Sequence, residues 1–362
     1  MANINKARFI NSGLFDILLS KFSPFALYLF IFSLTFLAQF ILTSFEGTLF
    51  PSSKVQISFV EHLTVMVGGS FLIPMIFFIM KKFYLAAENA VGGLKTDNIL
   101  NSEHLETLET PNLNKVLSSV KIGLIALALI VDSFIFFGGP HQGIDYIHMI
   151  NGKLTICGYY YVALFPFLAY FILIFLTDVS LFANAVGALC KQKFLTPSLF
   201  HPDGKYGLRE LVNIIFPINF FILLIGAYFF VIFLNWMEYK SPLELIFNVE
   251  EILIIIGYFS ITPLILSLYI WPVKKTVADF KNSNLHALYS LFKLQALNNL
   301  GANYPEILSS LQQSGFYLLY NHVANMKTNL VSFDLLGKIY RSVLIPIVVP
   351  LLIAVIKERF LK

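Results

Sequence analysis

The sequence predicts an all-α polytopic membrane protein, with six transmembrane helices paired as three hairpins and a helical cytoplasmic C-terminal region. Three observations carry this reading. Hydrophobic residues make up 57% of the 362-residue chain and charged residues only 13%, at a mean hydropathy of +0.75, whereas a soluble domain is about a quarter charged. Six apolar segments approach the roughly 20 residues that a bilayer requires, at 25–45, 58–80, 121–139, 156–177, 211–236 and 251–272. Of the 25 Lys and Arg, all but Lys54, Lys153 and Lys240 fall in segments that lie inside when the N-terminus is inside. That bias orients multi-pass proteins and predicts cytoplasmic N- and C-termini.

Each segment has marked edges. Pro24 opens the first, and the charged residues before it (Lys6, Arg8, Asp16, Lys21) precede no small-residue cleavage site, so a retained helix is expected. Lys81 and Lys82 close the second, Lys121 opens the third and Gly138-Gly139-Pro140 ends it. Trp236 and Trp271 fall near the ends of the fifth and sixth, where amphipathic rings prefer the interface. The even segments carry Pro74, Pro166 and Pro263, each expected to bend its helix. Asn89-Ala90-Val91-Gly92-Gly93-Leu94 is echoed 95 residues later by Asn184-Ala185-Val186-Gly187-Ala188-Leu189. The echo reads either as a repeat, common in transporter folds, or as chance in an apolar sequence. Cys157 and Cys190 sit at opposite ends of one expected helix, about 50 Å apart, and cannot pair within the chain.

The domain expectation is a transmembrane unit over 1–273, with cytoplasmic loops at about 82–120 and 178–210, and a cytoplasmic helical region over 274–362. Glu103, Glu106 and Glu109 share one helical face in the first loop, which reads as a solvated surface. After Pro272, apolar residues from Val277 to Leu297 recur at helical spacing up to Asn298-Asn299, and a second helix is expected from Pro305. The final apolar run, Val343–Ile356, is short for a span and basic on both sides, so it is expected at the inner interface.

The most distinctive polar stretch is His201-Pro202-Asp203-Gly204-Lys205-Tyr206-Gly207-Leu208, between the fourth and fifth spans and followed by Arg209. Pro202 favours an extended His201, and Asp203-Gly204 supplies a turn. Two readings stand side by side. His201 and Asp203 form a ligand pair, a proton-handling pair or a hinge; or Asp203 caps local amides while His201 bonds a neighbouring helix. The loop resembles that of a family of bacterial multi-pass membrane proteins whose version reads His-Pro-Asp-x-x-Gly-Gly-Leu. Their tails carry a Phe-Asp before a short final apolar run, matched here by Phe333-Asp334 and Val343–Ile356. Tyr206 stands in place of the first glycine of the pair. The resemblance covers the fourth span to the C-terminus and implies a bacterial inner-membrane setting, with no activity attached.

Asp132 lies within the third span, and an intramembrane carboxylate is a functional hypothesis by default. Its candidate outer-side partners are Glu61 and His62; a neutral Asp132 bonded to Ser133 is the alternative. His141, Asp145 and His148 would share a face on a helix and hold a metal such as zinc, but their Gly-Pro and Asn-Gly flanks favour a loop. Nucleotide-phosphate loops, dinucleotide glycine patterns, zinc-protease motifs and nucleophile elbows are absent, and no pattern names a cofactor. The net charge of +4 is anchoring charge beside anionic lipid, so nucleic acid is not an expected partner. The expected function is an oligomeric membrane sensor/effector or channel-like component, with the lipid bilayer, a second copy and a cytoplasmic protein as partners. The alternatives are a secondary transporter using Asp132 and a membrane-interface enzyme using His201 and Asp203.

Overall fold

The computed structural model describes residues 24–52, 58–100, 122–130, 149–150, 153–203, 205–236, 249–298 and 315–326. The helices are α1 (Pro24–Glu46), α2 (Leu63–Thr96), α3 (Ile156–Lys191), α4 (Arg209–Asn213), α5 (Ile215–Trp236), α6 (Val249–Asn298) and α7 (Gly315–Ala324). Residues 122–130 are also helical, inside the third predicted span. Four helices among the described residues are long and apolar enough to cross a bilayer: Phe25–Glu46, Leu63–Thr96, Ile156–Lys191 and Arg209–Tyr228. They are compatible with an integral membrane protein. The sixth predicted span forms part of α6.

The bundle has two ends. At the far end, α1 finishes where α2 and α3 begin. The Glu46 carboxylate accepts the N–H groups of Ile156 and Cys157, and Thr155 Oγ1 accepts the Gly158 N–H at 2.9 Å. A residue 110 positions away thus caps the first turn of α3, where free N–H groups and the helix dipole favour an anion. A two-residue antiparallel ladder, β1 (Met149–Ile150) with β2 (Lys153–Leu154), stands just before α3, pairing Met149 with Leu154 and Ile150 with Lys153.

At the other end, called here the loop end, lie the C-terminal ends of α2 and α3. Their 34 and 36 residues make rods of about 50 Å, about 20 Å longer than a bilayer's hydrocarbon core of about 30 Å. Pro74 and Pro166 lie inside these helices without ending them.

One expectation needs correction. The second apolar segment starts to be helical at Leu63 rather than 58, because Glu61 accepts the Ser58 N–H and hydroxyl at 2.7 and 2.8 Å and closes a turn there. α6 continues through Trp271-Pro272 to Asn298 as one helix. Proline removes a single N–H, and here its ring lies against Gly187 of α3, where an added Cβ would stand 3.6 Å from Pro272 Cγ.

The core is concentrated towards the loop end. Phe221 of α5, Phe175 of α3, Phe83 of α2, Phe182 of α3 and Tyr269 of α6 form a continuous column of rings with centroids 4.3–6.1 Å apart. Edge-to-face and offset contacts of this kind add to burial. The Tyr269 hydroxyl donates to the Leu211 carbonyl at 2.6 Å, satisfying an acceptor freed where α4 gives way to α5. By contrast α1 turns Phe25, Leu29, Phe30, Leu34, Leu37 and Ile41 outward. The chain's 38 Phe therefore serve both surfaces.

Candidate functional site

The site is assembled at the loop end from three pieces of backbone. α2 stops at Asp97, and Asn98 takes a left-handed φ of +52° that turns the chain. Leu100 then forms an antiparallel bridge with Leu195, just past the end of α3, and Ile99 accepts the Thr196 N–H at 2.9 Å. The third piece is the turn from His201 to Arg209, closed by the Ser198 N–H donating to the Tyr206 carbonyl at 3.1 Å.

Asp203 holds that turn. Its Oδ1 accepts the Lys205 and Gly207 N–H groups at 2.8 and 3.0 Å, and its Oδ2 accepts the N–H of Arg209, first residue of α4, at 3.1 Å. Burial by itself pushes this carboxyl up; the Gly207 and Lys205 N–H groups, the His201 ring and the Arg209 N–H outweigh it and hold the carboxyl below its ordinary value. Gly207 is required twice over. Its φ is +81°, and an added Cβ would stand 2.5 Å from Ile99 Cδ1. Tyr206 also takes a left-handed φ, +62°, a conformation that residues other than glycine adopt sparingly.

His201 links the pieces. Its Nε2 is 3.2 Å from Asp97 Oδ2 at the end of α2, and its Nδ1 is 2.9 Å from Asp203 Oδ1. The Asp203 N–H also points to Nδ1, at 3.3 Å. Nδ1 therefore meets an acceptor and a donor, and the imidazole has partners whether that nitrogen is protonated or not. Next to it Phe200 stacks on His322 of α7, centroids 5.6 Å apart and planes within 12°. α7 is in turn held to α6 by Lys281, whose Nζ donates to the Ala324 and Met326 carbonyls at 2.7 and 3.1 Å. A lysine at a helix C-terminus satisfies free carbonyls and suits the dipole.

Of the residues singled out in the sequence, the structure gathers His201, Asp203, Gly207 and the backbone of Arg209, with Pro202 exposed beside them. Gly204 lies outside the described residues, as do Asp132, His141, Asp145, His148, the Glu103–Glu109 face, Phe333-Asp334 and Val343–Ile356. Glu61 and His62 stand at the far end, Glu61 in its turn and His62 as the residue preceding α2. No metal-ligand cluster occurs among the described residues.

Sequence reasoning missed Asp97, whose signal was the polar Asp97-Asn98 pair after an apolar helix. It also missed Asp178, fully buried in α3, which accepts the Tyr84 hydroxyl of α2 at 2.6 Å. Asp178 stands one residue past the predicted edge of the fourth span and so read as the first polar residue outside. Comparison with protein-family models, curated proteins and solved structures gave no match to this chain. The chemistry of the site rests on its own geometry.

Proposed function

We propose that the chain is a six-span protein of a bacterial inner membrane, with both termini cytoplasmic, that works as an oligomeric sensor/effector or channel-like component. In this reading the loop end is the cytoplasmic end, and 274–362 is a cytoplasmic annex that binds a second copy or a cytoplasmic protein. The observation that carries it is His201 held between Asp97 and Asp203. One side chain ties the end of α2 to the turn that starts α4 and α5, and its neighbour Phe200 reaches α7. A signal that protonates, displaces or competes for that imidazole acts on three elements at once, two of which run into apolar helices.

The same geometry weighs against an interface enzyme. A general base needs a ring nitrogen free for substrate, and both nitrogens of His201 face carboxylates while Asp203 is occupied by backbone N–H groups. The test is ion flux and dye release from proteoliposomes of purified protein beside His201→Ala and Asp132→Asn. Flux altered by His201→Ala and unchanged in Asp132→Asn is the expected result. Flux at the empty-vesicle level for wild type and both variants sinks the channel-like reading. Dependence on Asp132→Asn alone moves the function to secondary transport.

A further inference from the structure

Away from the loop end, α1 presents an unusual inner face to α2. Thr35, Gln39 and Thr43 follow one another at intervals of four, so they share one stripe, and they are 6%, 1% and 0% exposed. Opposite them on α2 is Ser70, also fully buried. Gln39 Nε2 donates to Ser70 Oγ at 3.1 Å, and that bond joins the two helices. The threonine hydroxyls donate to carbonyls of their own helix: Thr35 Oγ1 to Ile31 at 2.9 Å and Thr43 Oγ1 to Gln39 at 2.8 Å. Their oxygen lone pairs remain available. Gln39 Oε1 is buried and, among the described residues, has no hydrogen-bond partner.

An amide oxygen left unpaired in an apolar setting is costly, and more so where no solvent is at hand. Exchanging the amide's oxygen and nitrogen does not remove the problem, because one polar atom is left over either way. What fits both arrangements is a small molecule that donates and accepts. Uncharged partners on both helices suit a neutral molecule rather than an ion, and a buried water usually has two to four such partners. Gln39 and Ser70 each stand seven residues from the far end of their helix, about 10 Å into the bundle.

We propose that Gln39, Ser70, Thr35 and Thr43 form an internal hydration site between α1 and α2, holding water inside the membrane-spanning part of the bundle. The site goes beyond the loop-end switch and involves none of its residues, but it rests on these helices being embedded in lipid. A polar, water-holding spot a third of the way through the bundle is also where a neutral polar solute entering from the far end would first find hydrogen-bond partners.

Solid-state NMR on the full chain in liposomes, with magnetisation transferred selectively from water or from lipid, tests this. Early water transfer to the Gln39 side-chain amide and to Ser70 is expected, with lipid transfer to the outward methyls of Leu34 and Leu37. In Gln39→Leu the water transfer at Ser70 should be lost. A wild-type Gln39 amide that receives nothing from water, beside lipid-contacting Leu34, overturns the hydration site and leaves the membrane reading standing. Water transfer to Leu34 and Leu37 overturns both. The wild-type measurement decides the matter even if Gln39→Leu does not fold.

Discussion

The ends of α2 and α3 are built alike, residue for residue, at a constant separation of 95. Asp97 N–H donates to Gly93 O and Gln192 N–H to Ala188 O, both at 3.0 Å. Asn98 N–H reaches Lys95 O at 3.1 Å and Lys193 N–H reaches Cys190 O at 3.2 Å; Ile99 N–H reaches Leu94 O at 3.0 Å and Phe194 N–H reaches Leu189 O at 3.1 Å. Asn98 and Lys193 both turn left-handed, at φ +52° and +57°, and the next equivalent pair, Leu100 and Leu195, bridge each other. The antiparallel bridge thus joins residues that hold the same place after each helix end. The ends differ at one decisive place. Asp97 on α2 faces His201, and its equivalent on α3 is Gln192. A shared frame supplies the geometry, and the candidate site arises where the two helix ends diverge.

Substitutions break or sharpen this comparison, and large effects are expected both in the part with no counterpart in the frame and in the frame itself. Gly207→Ala meets Ile99 at 2.5 Å and forces an L residue into a positive φ, so a loss of about 2–4 kcal/mol is expected in detergent unfolding, from overpacking and backbone strain together. A variant as stable as wild type would mean that Ile99 moves freely and the turn is not seated on α2.

Leu94→Ala and Leu189→Ala probe the frame itself. Both leucines are 3% exposed, and each truncation is expected to cost about 2–5 kcal/mol. Similar losses from the pair support equivalent packing; a large loss from one alone denies it.

Asp203→Asn should cost about 1–2 kcal/mol at neutral pH, because an amide keeps one acceptor and loses the charge that strengthens the bonds to three N–H groups. Despite the upward push of burial, the Asp203 carboxyl is held below the ordinary carboxylate range by the N–H groups of Gly207, Lys205 and Arg209 and the His201 ring. Its contribution is therefore present above the unfolded-state value and lost as pH falls through the lower folded value. The stability gap between wild type and Asp203→Asn, followed by melting from pH 7 down to pH 3, should stay constant and then narrow below about pH 4. A gap that widens with acid contradicts the assignment.

Asp97→Asn isolates the difference between the two ends. The Asp97 side chain is 38% exposed, so about 0.5 kcal/mol is expected, against no measurable change for Gln192→Glu. Smallest of all, Lys193→Gly should stabilise by about 0.5 kcal/mol, and Asn98→Gly by less, since asparagine tolerates the left-handed region better than lysine. Equal and negligible shifts would mean the two turns are not under the same backbone constraint.

Much of the fold was legible in the chain. Long apolar runs, their charged edges and the repeated Asn-Ala-Val-Gly segment are local features, and bilayer burial and helix geometry act on them locally. The turn at His201–Leu208 was legible too, because Pro202, Asp203 and Gly207 each impose a backbone preference of their own. The reading of Asp203 as a cap for nearby amides and of His201 as a bond to a neighbouring helix describes the observed geometry. What escaped was every partner far along the chain: Asp97 for His201, Tyr84 for Asp178, His322 for Phe200, Lys281 for the end of α7, Glu46 for the start of α3. None of these pairs shares a period or a motif.

The sequence by itself determined that the chain is helical and apolar, where its helices turn, and which loop carries the densest chemistry, because those properties depend on residues within a few positions of one another. Only the tertiary structure decided that α6 runs unbroken past Pro272, that α2 and α3 end as a matched pair, and that one histidine sits between carboxylates 106 positions apart in the chain. Those outcomes depend on which surfaces meet. A proline is tolerated where a glycine on the next helix receives its ring, and a histidine becomes a link only when packing brings a second helix end within hydrogen-bond reach.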